Sequence, residues 1–114
     1  MIKYIKANEL KIGSVFFVEY GCYDNYTEAV ITNIKLGATG RGIICNYRIP
    51  AYDNQEGECA FYLNEMVKTT CLYKAIDINN NVLLIGTRIQ VHNLIFKRKK
   101  DGILTDKMEE YYNV

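Results

Sequence analysis

The chain has 114 residues, a net charge of +1, and a composition 49% hydrophobic and 24% charged, that of one ordinary globular domain. This excludes a collagen, a coiled coil and a disordered chain, and no apolar run approaches the roughly 18 residues of a membrane-spanning helix. Fourteen Lys and Arg stand against 13 Asp and Glu, so the overall basic excess of a protein living on phosphate contacts is absent.

The opening Met1-Ile2-Lys3-Tyr4-Ile5-Lys6 places lysines where a signal peptide needs an apolar stretch, and the expected location is cytoplasmic. Leu10 to Ser14 reads as a turn feeding a strand at about 15–20. A polar, aromatic loop follows at 21–27. The strand 28–36 alternates with Val30, Thr32, Ile34 and Leu36 on one face and Ala29, Ile31, Asn33 and Lys35 on the other. Three glycines in Gly37 to Gly42 make a turn. In the next strand Ile43, Cys45, Tyr47 and Ile49 point one way and Ile44, Asn46 and Arg48 the other. Such alternation implies one wetter face and an antiparallel sheet.

Residues 50–58 read as a loop, and Cys59, Phe61 and Leu63 resume the alternation. Asn64 is placed to cap one helical turn at Glu65 to Thr69. A strand is expected at 71–78, a turn at Asn79-Asn80-Asn81, and strands at 82–86 and 88–98. Asp101-Gly102 signals a hairpin turn, and Thr105 to Tyr112 a short helix. The sum is a single mainly β domain over 1–114: a small antiparallel barrel with one or two short helical turns, in which 99–114 forms a C-terminal hairpin or short-helix extension. Closure is expected because it removes sheet edges.

Leu10 to Val18, Glu28 to Lys35, Gly42 to Ile49 and Ala60 to Met66 together resemble the strands and turns of small SH3-like β-barrel proteins of phage and mobile-element type, over about residues 10–78. That resemblance implies a binding module, and with it inhibition or modulation of a host or defence protein. It carries no site residue over.

Catalytic and metal chemistry find few candidates. Cys22, Cys45, Cys59 and Cys71 form no C-x-x-C pair, so they read as reduced, apolar thiols, with neither a metal site nor a bound cofactor expected. The one histidine, His92, sits in a strand-like pattern. Glu56/Glu58 and Glu109/Glu110 fall in a loop and a tail, where nothing desolvates them as acid catalysis needs. The glycines at 37–42 lack the lysine of a phosphate-binding loop.

Ten tyrosines are the unusual feature. Tyrosine gives large contact area at low entropy cost and carries a polar tip, which favours it at interface centres. Tyr23, Tyr26 and Tyr52 fall in polar segments and are the expected protein-binding anchors, with Arg41 and Arg48 as polar partners. The expected function is a non-enzymatic binding module whose partner is another protein. The alternative is a nucleic-acid-binding barrel using Lys97, Arg98, Lys99 and Lys100, the one dense basic run.

Overall fold

The structure, a computed structural model, describes residues 2–19 and 25–112. Mainly β, it divides into two compact units, the first reaching Thr70 and the second spanning Cys71–Tyr112.

The first unit is a six-stranded antiparallel sheet. Its strands are β1 (Lys3–Lys6), β2 (Val15–Glu19), β3 (Tyr26–Leu36), β4 (Gly42–Ile49), β5 (Gln55–Tyr62) and β6 (Met66–Thr70), in the order β1-β6-β2-β3-β4-β5. Short 3₁₀ turns occupy Ala7–Glu9 and Pro50–Tyr52. The expected turn before β2 forms, with the Gly13 amide donating to the Ile31 carbonyl at 2.8 Å and the Ile31 amide to Ser14 at 2.9 Å.

β4 keeps the expected faces. Ile43, Cys45 and Ile49 are buried and Tyr47 packs against them, together with Cys59, Phe61 and Leu63 from the β5 side. Phe16 is at the centre, edge-on to Tyr47 at 5.6 Å and to Phe61 at 5.7 Å between ring centroids. β3 departs from expectation. Its register on β4 slips between Ile31 and Asn33, so one extra residue is accommodated and the strand changes face there. Ala29 and Ile31 face the core before the bulge and Ile34 after it, which keeps Asn33 out of the apolar interior.

The barrel is not closed. β1 and β5 are edge strands with no ladder between them, and beyond the Lys6–Met66 pair two backbone bonds prolong the pairing of β1 with the β6 side. The Ala7 and Asn8 amides donate to the carbonyls of Glu65 (2.8 Å) and Leu63 (3.1 Å). Three local expectations also change in this unit. Gln55 to Glu58 is strand rather than loop. The helical turn at Glu65 to Thr69 is instead β6, because Val67 and Thr69 alternate inward while β1 and β2 supply its backbone partners. Asn64 lies in the turn ahead of it.

The second unit is a three-stranded sheet of β7 (Leu72–Ile76), β8 (Val82–Gly86) and β9 (Lys107–Tyr111) in the order β8-β7-β9, packed with the helix α1 (Arg88–Lys100). The β7–β8 turn forms as expected, with Asn80 in the left-handed region (φ 62°) and the Asp77 carboxylate accepting from the Asn79 and Asn81 amides. Residues 88–98 are not strand. Thr87 Oγ1 accepts from the Gln90 amide (3.3 Å), and Gln90 Oε1 accepts from the Thr87 amide (2.9 Å). This reciprocal capping box satisfies two donors that a helix start leaves open.

α1 ends in a Schellman motif. Gly102, at φ +89°, donates to Lys99, and Ile103 donates to Arg98, so Asp101-Gly102 stops a helix rather than turning a hairpin. Val91 is fully buried and Ala75 likewise. Gly86 leaves room for the capping Gln90 side chain, since a Cβ there would lie 2.5 Å from Gln90 Oε1. The tail is strand rather than helix: β9 pairs with β7 from Leu72–Tyr111 to Ile76–Lys107. The stretch expected as an extension therefore builds this unit's own sheet.

Candidate functional site

The tyrosines are displayed. Among the eight described, Tyr4, Tyr26, Tyr52, Tyr62 and Tyr112 are exposed, Tyr47, Tyr73 and Tyr111 half-buried, and none is fully buried. Tyr23 lies outside the described residues, as does Cys22.

Two of the expected anchors share one end of the first unit. Tyr26 opens β3, Tyr52 follows β4, and the Val30–Arg48 pairing sets both at the end of the β3–β4 ladder remote from the 37–41 turn. The Pro50–Tyr52 turn also packs on β3. Tyr26 is 62% exposed and Tyr52 44%. The backbone beneath Tyr52 is held firmly. Pro50 starts the 3₁₀ turn, Asp53 and Asn54 take left-handed angles (φ 54° and 57°), and the Asn54 amide donates back to Ile49 at 3.0 Å. Asp and Asn tolerate this conformation better than other residues with a Cβ. Arg48 Nη1 donates to Asn54 Oδ1 at 3.0 Å, which ties the guanidinium to the loop that carries Tyr52.

Arg41 is not part of this end. It sits in the 37–41 turn at the opposite end of β4, separated by a strand of eight residues, roughly 25 Å. There it lines a shallow groove of about 430 Å³ with Thr39, Phe61, Tyr62 and Glu65. Tyr62, 71% exposed, makes this a second aromatic and cationic corner. Its sequence signal is the outward phase of Tyr62 beside inward Phe61.

The basic run forms the last turn of α1 rather than a strand end. Arg98 forks onto the Asp106 carboxylate through Nε and Nη2, and that side chain is nearly inaccessible. This contact, ahead of any other, raises the Arg98 pKa. Lys97, Lys99 and Lys100 remain exposed. Lys100 Nζ lies 4.9 Å from the Phe96 ring centroid, and Phe96 stacks with His92 at 6.4 Å and 14°. His92 is thus an exposed helix residue, not a strand residue.

Cys45 and Cys59 face each other across the β4–β5 ladder, both as free thiols. Burial raises both, and the neighbouring Cys45 adds to the shift of Cys59, pushed up to about 12. A nucleophilic cysteine needs the opposite shift. Glu56 and Glu58 are exposed on the edge strand β5, and Glu109 lies 3.9 Å from Lys74. Among the described residues, no three His, Cys, Asp or Glu side chains gather as metal ligands, and no helix is long and apolar enough to cross a membrane.

No protein-family model matches the chain, and no curated protein matches it.

Proposed function

We infer that this protein is a binding module that engages another protein through the end of the six-stranded sheet carrying Tyr26 and Tyr52. The observation that carries this reading is the exposure of those two rings at one end of the ladder, one on a loop braced by Arg48 and Asn54. A rigid, exposed phenol buries large area on docking while losing little side-chain freedom. Arg48 is the polar partner at this end, and Arg41 belongs to the other. The mechanism is occlusion of the partner's surface. The resemblance to small SH3-like phage proteins directs the search toward a host or defence protein.

The test is affinity capture from the source cell with the parent chain and with Tyr23, Tyr26 and Tyr52 changed to alanine. A chain with Tyr4→Ala and Tyr62→Ala serves as control. Each anchor lost is expected to weaken binding about tenfold or more, in line with the 2 kcal/mol or so of a hot-spot residue. The captured partner disappears with the first variant and persists with the control, while thermal stability stays within a few degrees. Retention of the partner by the triple variant rejects this surface.

A further inference from the structure

We propose that the outward face of α1 is a binding surface for double-stranded DNA. The site is separate from the tyrosine end and stands independently of it. α1 carries Arg88, Lys97, Arg98, Lys99 and Lys100 and no acidic residue. A pure charge run is ordinarily a solvated face, but this one also exposes apolar side chains: Ile89 is 72% and Phe96 52% exposed. These residues do not fasten α1 to its sheet, because Val91 marks the buried side. At about 100° per residue, Ile89, Asn93, Phe96 and Lys100 run down the opposite side, with Lys97 on one flank and Lys99 on the other.

That layout suits a duplex groove. A 13-residue helix is about 20 Å long and 10–12 Å wide, and the major groove of B-form DNA, about 12 Å across, admits such a helix. Lys97 and Lys99 would meet phosphates on the two groove walls, with Lys100 between them. Asn93 stands mid-stripe with the donor and acceptor that adenine's groove edge requires, and Phe96 offers an apolar edge to a thymine methyl. Arg98 takes no part, since Asp106 holds it on the sheet side. Stacking on unpaired bases is the poorer match, because the Phe96 ring is already engaged by His92 and Lys100. The deep, narrow major groove of duplex RNA does not admit a helix. The near-zero net charge does not oppose a contact made by one turn of helix.

The test is fluorescence anisotropy of the full chain with a labelled DNA duplex of about 20 base pairs. With Lys97 and Lys99 on phosphates, log–log salt dependence has a slope of about −1.8, so affinity falls about 12-fold between roughly 50 and 200 mM salt. Changing Lys97, Lys99 and Lys100 to Gln removes that dependence and most of the binding, while helical circular dichroism is preserved. Changing the same three to Arg retains binding. Lys3→Gln, Lys6→Gln and Lys11→Gln in the first unit make an equal charge change and leave binding intact. Absence of duplex binding at about 50 mM salt overturns the proposal. So does equal loss in both glutamine variants. Tighter binding of a single strand overturns groove insertion, and lysine-dependent binding of polyglutamate as tight as that of the duplex reassigns the face to an acidic polypeptide.

Discussion

Gly57→Ala adds one carbon at a place where the fold has no room for it. Gly57 pairs with Tyr47 across β4 and β5. A Cβ on Gly57 would sit 2.5 Å from the Tyr47 Cζ and Oη atoms and 2.7 Å from Cε1. Carbon contacts are comfortable at about 3.5–4.0 Å, so the ring must retreat by about 1 Å. The ring also packs edge-on to Phe16, 5.6 Å away and at 87°, and Phe16 is almost fully buried, so its surroundings resist the shift. Gly57 lies outside the positive-φ region, so the cost is steric rather than torsional. Overpacking of this kind costs about 1–3 kcal/mol. Alanine's smaller loss of backbone freedom on folding returns about 0.5–1 kcal/mol. The expected net loss is about 0–2.5 kcal/mol, read from urea unfolding followed by tyrosine fluorescence. In a Tyr47→Leu background the obstructing ring atoms are gone. There Gly57→Ala should be neutral or stabilising, giving a coupling of about 1–3 kcal/mol in the double-mutant cycle. A coupling near zero between Gly57→Ala and Tyr47→Leu would refute this account of β5.

Thr87→Ala removes one half of the capping box and is expected to cost about 1 kcal/mol, with Thr87→Ser largely restoring it; thermal unfolding read at the helical circular dichroism band checks this. Cys59, with its pKa pushed up to about 12, should be alkylated in the native state at least 100-fold more slowly at pH 8 than an ordinary thiol. Peptide mapping by mass spectrometry measures the rate, and labelling at the ordinary rate contradicts the burial. The same upward shift keeps the native state protonated where the unfolded chain ionises, so stability should decline as pH rises from about 8.5 toward 12, and Cys59→Ala should shallow that decline. The Asp77 carboxyl is held below the usual aspartate range, first by the Asn81 amide. Its contribution to the β7–β8 turn is present above about pH 4 and lost as pH falls through the lowered value, and Asp77→Ala should remove that part of the acid limb.

Strand period and punctuation were readable from the residues wherever a strand keeps strict alternation. Ile43 to Ile49 and Cys59 to Leu63 show their core faces directly, because a period of two leaves no other choice once one face is buried. The turns at Gly37–Gly42 and Asn79–Asn81 were equally plain, since those residues tolerate angles that others resist. Residues 88–98 read as strand although they form α1, because the β-branched pattern around Ile89 and Val91 suits either element. Period alone does not separate short apolar segments. Of the candidate site, the sequence supplied the tyrosines and the basic run as residue types. Tertiary structure decided which of them meet: it drew Tyr26, Tyr52 and Arg48 to one end, sent Arg41 to the other, and withdrew Arg98 onto Asp106. It also decided the bulge that turns Ile34 inward, the pairing of β1 with β6, and that of β9 with β7. Those outcomes depend on backbone partners tens of residues away along the chain, and a hydrogen bond between distant strands leaves no periodic trace in either one.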